Sequence, residues 1–183
     1  MQPDNVEGDL AHVLLTEEQI SDRIAAIAAE IDEAYQGRDL LLVGVLNGAV
    51  MVMADLARAL SIHANMDWMA VSSYGASTKS SGVVQIRKDL DTDLHGKHVL
   101  IVDDICDSGH TLAALKQLLS QRGAASVRTC ALLDKRARRE VDVTPDFVGV
   151  HCPDEFVVGY GLDYAEKYRN LRDVAILAPH VYS

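Results

Sequence analysis

The chain has 183 residues, 49% of them hydrophobic, so it can bury a sizeable core and is short enough for one domain. Its formal net charge of −10 opposes polyanions, so we expect no nonspecific binding to nucleic acid, and an anionic ligand needs a local site. Three cysteines without CxxC spacing, no export signal and no apolar run of about 18 residues predict a cytoplasmic protein without disulfides, zinc ribbon or membrane span.

The first predicted elements follow a polar N-terminal lead. Thr16 and Gln19 have the spacing of a capping box, and apolar residues follow at helical intervals as far as Tyr35, which predicts an amphipathic helix. Residues 39–46, DLLLVGVL, form a nearly unbroken apolar run of strand length. Residues 49–60 then have a helical pattern, so the two segments together predict a βα unit.

The clearest unit lies in the middle of the chain. Residues 66–74 and 83–88 predict two strands, and GASTKSSG between them predicts a mobile loop. Residues 97–102 predict a β-branched strand, residues 103–110 a polar turn, and residues 111–122 a helix that Gly123 stops. Three further strands are predicted at residues 127–133, 146–150 and 174–177. This alternation predicts an α/β fold with a mainly parallel twisted sheet flanked by helices.

The string VLIVDDICDSGHTL, residues 99–112, carries the most chemical information. Ligands of an open parallel sheet lie outside the carboxyl ends of its strands, so the turn in this string should face a site. A helix opens after Gly109, so backbone N–H groups and the positive end of the helix dipole can converge on a phosphate. Ser108 and Thr111 can add hydroxyl donors.

Two carboxylates, Asp103 and Asp104, stand upstream of this turn. They suit the hydroxyls of a sugar, held directly or through Mg²⁺. Helix capping alone could explain Asp107, Ser108 or Thr111 taken singly. Three carboxylates within five positions repel one another, however, and a structural role explains them poorly. The chain also lacks GxGxxG and GxxxxGK[ST], so a phosphorylated sugar fits better than a dinucleotide or a P-loop nucleotide.

The string resembles the phosphoribosyl pyrophosphate motif of type I phosphoribosyltransferases, an apolar strand with two acidic residues and a D[ST]GxT loop. The hypoxanthine-guanine branch is more similar still, because LLDKRARR, PDFVG and PDEFVVGYGLDYAEKYRNL follow in its order at residues 132–139, 145–149 and 153–171. The resemblance implies transfer of a 5-phosphoribosyl group to N9 of hypoxanthine or guanine. It also implies one domain over residues 1–183, with a small hood from the N- and C-terminal segments over the purine.

The resemblance further implies roles for residues of the phosphate half. Asp103 and Asp104 match the acidic pair on the ribose hydroxyls and Mg²⁺, and Asp107 matches the proton acceptor beside purine N7. The 5′-phosphate loop corresponds to Asp107, Ser108, Gly109, His110 and Thr111, where His110 receives no catalytic role. Asp103 stands where the family usually has glutamate, so its reach is one methylene shorter.

The purine and pyrophosphate residues are also implied by resemblance. Lys135 matches the lysine that reaches purine O6, Phe156 the aromatic that stacks on the base, and Val157 a backbone contact to the purine edge. Asp163 matches a residue that serves the purine edge through its carbonyl and a second Mg²⁺ through its carboxylate. Pyrophosphate is assigned to Asn47, Gly48 and Arg169, and the start of the mobile loop to Ser73 and Tyr74. Asn47 replaces a lysine or arginine common in relatives.

Simpler interpretations of these residues stay open from the sequence. Lys135 could be a solvated strand end, Phe156 a core residue, and Asp163 with Arg169 a surface pair on a helix. Arg136, Arg138 and Arg139 are predicted to form a solvated or subunit-contact surface. The rival function is a regulatory protein that keeps the phosphoribosyl site but binds RNA. The subunit number, homodimer or homotetramer, is open.

Overall fold

The computed structural model describes residues 1–6, 8–73 and 84–183, which form nine strands and four α-helices. The strands are β1 (Leu10–Leu15), β2 (Leu40–Leu46), β3 (Ala64–Ser73), β4 (Val84–Lys88), β5 (His98–Cys106), β6 (Ser126–Asp134), β7 (Phe147–His151), β8 (Val157–Val158) and β9 (Val174–Leu177). The helices are α1 (Glu17–Tyr35), α2 (Val50–Ala59), α3 (His110–Ser120) and α4 (Pro179–Tyr182), with 3₁₀ turns at Pro3–Val6 and Arg136–Arg138. No helix among the described residues is long and apolar enough to cross a membrane.

Six strands form one sheet in the order β4-β3-β2-β5-β6-β7. All neighbouring strands are parallel except β3 and β4, which pair antiparallel. Helix α1 contacts α2 and β7, while α3 contacts β5 and β6, so helices cover the sheet. The apolar run of β2 is buried from Leu40 to Val45, as expected for a strand with both faces covered. The predicted α/β fold is therefore confirmed.

Helix α1 begins at the predicted capping box. The backbone N–H of Gln19 donates to the Thr16 hydroxyl at 3.3 Å, and the backbone N–H of Thr16 donates to the Gln19 side chain at 2.9 Å. These two bonds satisfy donors that the first turn of a helix otherwise leaves free. The predicted apolar stripe of α1, including Ile20, Ile27 and Ile31, is buried in the core.

Strand β5 is longer than the sequence predicts. The predicted strand ended at residue 102 and a polar turn began at Asp103, but the strand continues to Cys106. Asp103 pairs with Ala131 of β6, and the ladder persists to Cys106 opposite Asp134. The parallel partner thus extends the strand through two acidic residues whose polarity suggested a turn. Only residues 107–109 remain for the turn, and α3 begins at His110.

A second sheet joins the two ends of the chain. Strand β9 pairs antiparallel with β1 on one side and with β8 on the other, so Leu10 lies opposite Leu177 and Val157 opposite Ile176. Strand β9 was predicted, but β1 and β8 were not. Both are short, and β1 exposes its middle residues, so neither has a clear apolar alternation.

Candidate active site

The turn between β5 and α3 packs closely against the segment that follows β6. Gly109 adopts φ +90°, a left-handed conformation that favours glycine, and a Cβ there would lie 2.6 Å from Val143 Cγ1. A small cavity of about 90 Å³ opens at the turn, lined among others by Asp103, Asp107, Ser108 and Thr111. Because α3 begins here, its free N–H groups lie beside this cavity. The cavity suits a small anion such as a phosphate group.

Of the acidic pair at the end of β5, Asp103 is buried and Asp104 is half-buried, and neither has an ion-pair partner among the described residues. Asp103 is 8% exposed and accepts a hydrogen bond from the Asp104 N–H at 3.0 Å, while Asp104 accepts from Ile105 N–H at 2.8 Å. Burial, together with the charge of Asp104, raises the pKa of Asp103 well above its usual range. Burial also raises the pKa of Asp104. No lysine, arginine or histidine in the described chain forms an ion pair with either carboxylate.

This pair fits a hard cation whose remaining ligands come from elsewhere. Within the described ranges, no three His, Cys, Asp or Glu side chains are grouped closely enough to hold a metal by themselves. Mg²⁺ often binds through one or two carboxylates and completes its shell with water and substrate phosphate oxygens. A buried and a half-buried carboxylate that form no ion pair within the described chain match that mode of binding, so the donor set is chemically suitable.

A loop from β2 packs directly against Asp104. The Leu46–Asn47 peptide bond is cis, and Gly48 follows it. A Cβ on Gly48 would lie 1.9 Å from Asp104 Oδ2, so the approach is possible only without a side chain. On its other side, a Cβ on Gly161 would lie 2.1 Å from the Gly48 carbonyl oxygen. The loop assigned to pyrophosphate is therefore enclosed between the acidic pair and the segment after β8.

Arg169 lies close to the same loop. Its Nη1 donates to the Gly161 carbonyl oxygen at 2.8 Å, and its Nη2 is 2.8 Å from Asp163 Oδ1. Asp163 Oδ2 accepts the Glu166 N–H at 2.9 Å. This segment contains positive-φ residues and isolated bridges and is not helical, so a surface pair on a helix is the wrong description. The charge of Arg169 also acts on Asp104, where it opposes the rise in pKa that burial causes.

Lys135 is buried beside the turn and is not a solvated strand end. Its side chain is 6% exposed, and Nζ donates to the Glu155 carbonyl oxygen at 2.8 Å. Nζ also lies 3.9 Å from Asp107 Oδ2. The second carboxylate oxygen of Asp107, Oδ1, is buried and has no hydrogen-bond partner in the part of the chain that the structure describes. The tips of β5 and β6 thus bring a lysine and an incompletely satisfied carboxylate together.

Phe156 stands at the surface and does not belong to the core. It is 37% exposed, and its ring stacks on Tyr182 with centroids 5.1 Å apart and planes at 27°. Tyr164 meets it edge to face at 5.5 Å. Its carbonyl oxygen accepts from Leu177 N–H, and Val157 then begins β8. An exposed, oriented aromatic ring next to Lys135 and Glu155 offers a flat apolar surface for a base.

The prediction for the arginine run was wrong at one position. Arg136 and Arg138 are exposed, but the Arg139 side chain is only 15% exposed. Arg139 Nε donates to the Asp107 carbonyl oxygen at 3.1 Å, and the guanidinium pairs with the buried carboxylate of Asp134. One feature of the sequence could have indicated that Arg139 is buried. Asp134 is an acidic residue at the end of an apolar strand, just before the arginine run.

Two predicted site residues, Ser73 and His110, stand at the ends of regular elements. Ser73 is the last residue of β3, and Tyr74 and the predicted mobile loop fall outside the described residues. His110 is the first residue of α3, and its Nε2 lies 2.8 Å from Glu140 Oε2.

The chain was compared with known families, proteins and structures. The family model for the phosphoribosyl transferase domain matches residues 13–165. The hypoxanthine-guanine phosphoribosyltransferase of Bacillus subtilis is 49% identical over 174 residues, which cover 95% of this chain and 97% of that protein. The bifunctional protein TilS/HprT of Listeria monocytogenes is 47% identical over 98% of this chain, which spans only 28% of that protein's length. A solved hypoxanthine phosphoribosyltransferase from Staphylococcus aureus matches with a TM-score of 0.95 and 46% identity, covering 98% of this chain and 97% of that one.

Proposed function

The chain belongs to the phosphoribosyl transferase family, and from that premise we propose that it is a hypoxanthine-guanine phosphoribosyltransferase. It transfers the 5-phosphoribosyl group from phosphoribosyl pyrophosphate to N9 of hypoxanthine or guanine, yielding IMP or GMP and pyrophosphate. One observation carries the proposal: Nζ of the buried Lys135 lies 3.9 Å from Oδ2 of the partly exposed Asp107, the first residue of the phosphate turn. The names of the relatives described above give no support to an RNA-binding regulator.

The phosphate half holds the phosphorylated sugar. Free N–H groups at the start of α3, with the hydroxyls of Ser108 and Thr111, bind the 5′-phosphate. Gly109 lets the turn pack against Arg139 and Val143, and His110 takes part through its backbone. Asp103 and Asp104 bind the ribose hydroxyls and would hold Mg²⁺ together with substrate oxygens. When bound, this ion neutralises charge on the departing pyrophosphate.

The purine half recognises a 6-oxopurine through one cation and one ring. Lys135 Nζ donates to purine O6, an acceptor that adenine lacks. Phe156 stacks on the base, and the backbone of Val157 and the carbonyl of Asp163 meet its edge. Burial of Lys135 strengthens the discrimination, because an unmatched buried donor is costly.

Asp107 removes the purine proton as N9 attacks the ribose. Departure of pyrophosphate leaves positive charge on the sugar, so catalysis consists of positioning and electrostatic stabilisation. The Asp107 carboxylate stands at the tip of β5 with one buried oxygen that lacks a partner in the described chain, and a purine N7–H can supply that partner. The other carboxylate oxygen, Oδ2, lies 3.9 Å from Lys135 Nζ, which places the proposed base beside the proposed O6 donor.

Pyrophosphate is held by the loop of Asn47 and Gly48 together with Arg169. Asn47 offers no cation, so Arg169, already close enough to act on Asp104, supplies the positive charge. The carboxylate of Asp163 would hold a second Mg²⁺, which would add positive charge beside the pyrophosphate. Ser73 and Tyr74 begin a loop that shields the sugar cation from water.

Two further properties belong to this proposal. The chain acts in the cytoplasm as a homodimer or homotetramer. Its three cysteines are all free and buried, which is compatible with a reducing compartment. Val50 and Met51 on α2 and Met66 on β3 are exposed apolar residues suited to a subunit contact.

Steady-state kinetics with hypoxanthine, guanine, xanthine and adenine tests the function directly. With Mg²⁺ and phosphoribosyl pyrophosphate, we expect nucleotide formation from hypoxanthine or guanine and little from adenine. Preference for adenine over both 6-oxopurines would overturn the assignment. An RNA gel-shift titration beside a pyrophosphate-release assay separates the enzyme from the RNA-binding alternative.

A further inference from the structure

A buried ionic cluster lies directly behind the phosphate turn. Asp134 ends β6, and its carboxylate is fully buried. Oδ1 pairs with Arg139 Nη2, whereas Oδ2 pairs with Arg136 Nε at 2.9 Å and lies 3.3 Å from His151 Nδ1. Burial alone would raise the pKa of Asp134, but hydrogen bonds from the two arginines outweigh it and hold that pKa below its usual range. The carboxylate is therefore ionised and anchors the Arg139 guanidinium.

The rest of the Arg139 guanidinium points at backbone oxygens. Nε donates to the Asp107 carbonyl at 3.1 Å and Nη2 to the Cys106 carbonyl at 3.3 Å. Nη1 donates to the Val143 carbonyl. The planar fork of arginine can reach all three carbonyls and a carboxylate at once, whereas the single ammonium of lysine cannot. These carbonyls belong to Cys106, the last residue of β5, to Asp107, the first residue of the turn, and to Val143, which packs against Gly109.

The segment that carries Arg139 encloses the turn from outside. The Glu140 N–H donates to the Ser108 carbonyl oxygen at 2.9 Å, and the Lys135 N–H donates to the Cys106 carbonyl oxygen at 3.0 Å. A Cβ on Gly109 would meet Arg139 Cδ at 2.8 Å. The turn is thus fixed on its outer side by residues 135–143 while its inner side stays open to the ligand.

We propose that Arg139 is a positioning residue that, anchored by Asp134, orients the turn of residues 107–109 toward a phosphorylated ribose. This role rests on the proposed function, because it concerns the same site. Arg139 contacts carbonyl oxygens rather than the ligand. Its loss should weaken binding of the phosphorylated sugar while the purine contacts of Phe156 and Val157 remain.

The test compares two lysine substitutions on the same carboxylate. Arg139→Lys keeps a positive charge beside Asp134 but loses the fork, and Arg136→Lys is the matched control because Arg136 pairs with Asp134 and contacts no turn carbonyl. Calorimetry with ribose 5-phosphate should show affinity reduced roughly tenfold or more in Arg139→Lys. Arg136→Lys should bind within about twofold of the unsubstituted protein.

A kinetic split distinguishes positioning from general destabilisation. In Arg139→Lys, the KM for phosphoribosyl pyrophosphate should rise while the KM for hypoxanthine stays within about twofold, and the Tm should match that of Arg136→Lys within a few degrees. Equal ribose 5-phosphate binding in the two variants, or parallel rises in both KM values, would overturn the proposal. The protein could convert no purine while ribose 5-phosphate binding still falls in Arg139→Lys and not in Arg136→Lys. That result would reject the proposed function and leave this inference intact.

Discussion

The residues proposed to bind the phosphorylated sugar, Asp103 to Thr111, follow one another along the chain, whereas the proposed purine half collects Lys135 and Phe156, on which Tyr182 stacks, from distant segments. The turn relies on backbone groups, on the left-handed conformation of Gly109 and on hydrogen bonds from the segment of residues 135–143 on its outer side. The proposed purine half relies chiefly on side chains, buried Lys135 and exposed Phe156 and Tyr182, beside backbone contacts from Val157 and Asp163. A ligand contact made by the backbone changes only if the fold changes, but a single substitution can remove a contact made by a side chain. We therefore expect losses in the first half to abolish turnover and losses in the second to alter selectivity.

The largest expected effect is at Asp107, where the two halves meet. Asp107→Asn keeps the shape of the side chain but cannot accept the purine proton, so kcat should fall about 10²-fold or more with a smaller change in KM. Single-turnover kinetics with hypoxanthine measures the chemical step. Asp142→Asn, an exposed residue nearby, is the control. Full kcat with chemistry rate-limiting would contradict the role of Asp107 as the proton acceptor.

Substitution of Arg169 tests whether pyrophosphate recognition belongs with the phosphate half. Because Asn47 lacks a charge, Arg169→Ala should raise the KM for phosphoribosyl pyrophosphate roughly tenfold, the scale of one charged hydrogen bond, and the KM for hypoxanthine much less. Arg172→Ala removes an exposed arginine that pairs with Glu17, and its kinetics should be unchanged. Equal effects of Arg169→Ala on both substrates would contradict this placement.

Lys135 tests selectivity in the purine half. Lys135→Ala removes the donor to O6, so the ratio of kcat/KM for hypoxanthine over adenine should narrow by about tenfold, while affinity for phosphoribosyl pyrophosphate stays nearly intact. Competition assays with the two bases measure the ratio. Lys116→Ala, which breaks an exposed contact with Asp146, serves as the control. Unchanged selectivity would mean that Lys135 supports structure alone.

The smallest effect is expected at Tyr182. Its ring stacks on Phe156, so Tyr182→Ala should leave Phe156 freer to move and raise the KM for hypoxanthine about threefold, the scale of one aromatic pair. Tyr182→Phe keeps the stack and should restore the KM. If the KM falls in Tyr182→Ala, Tyr182 competes with the base for Phe156, and the comparison between the halves needs revision.

The same contrast explains what the sequence could predict. The phosphate turn was recognisable because its residues are contiguous, although the end of β5 was misplaced since pairing with β6 extends the strand through Asp103. The purine residues could be assigned only through family resemblance, because nothing local marks Lys135 as buried. The burial of Arg139 depends on Asp134 and on carbonyls about 30 residues away, which no periodicity reveals. Strands β1 and β8 were missed because they are defined by long-range pairing.

Pairing between β1 and β9 joins residues that are synthesised far apart in time. Leu10 lies opposite Leu177, and ribosomes add about 5–20 residues per second, so β1 waits on the order of ten seconds for its partner. During this interval the phosphate turn can form between β5, α3 and β6, whose residues emerge earlier. Val157 acquires its backbone partner only when β9 appears. The segment that contains the phosphate turn is thus complete in a nascent chain before Val157, a residue of the proposed purine half, has its strand partner.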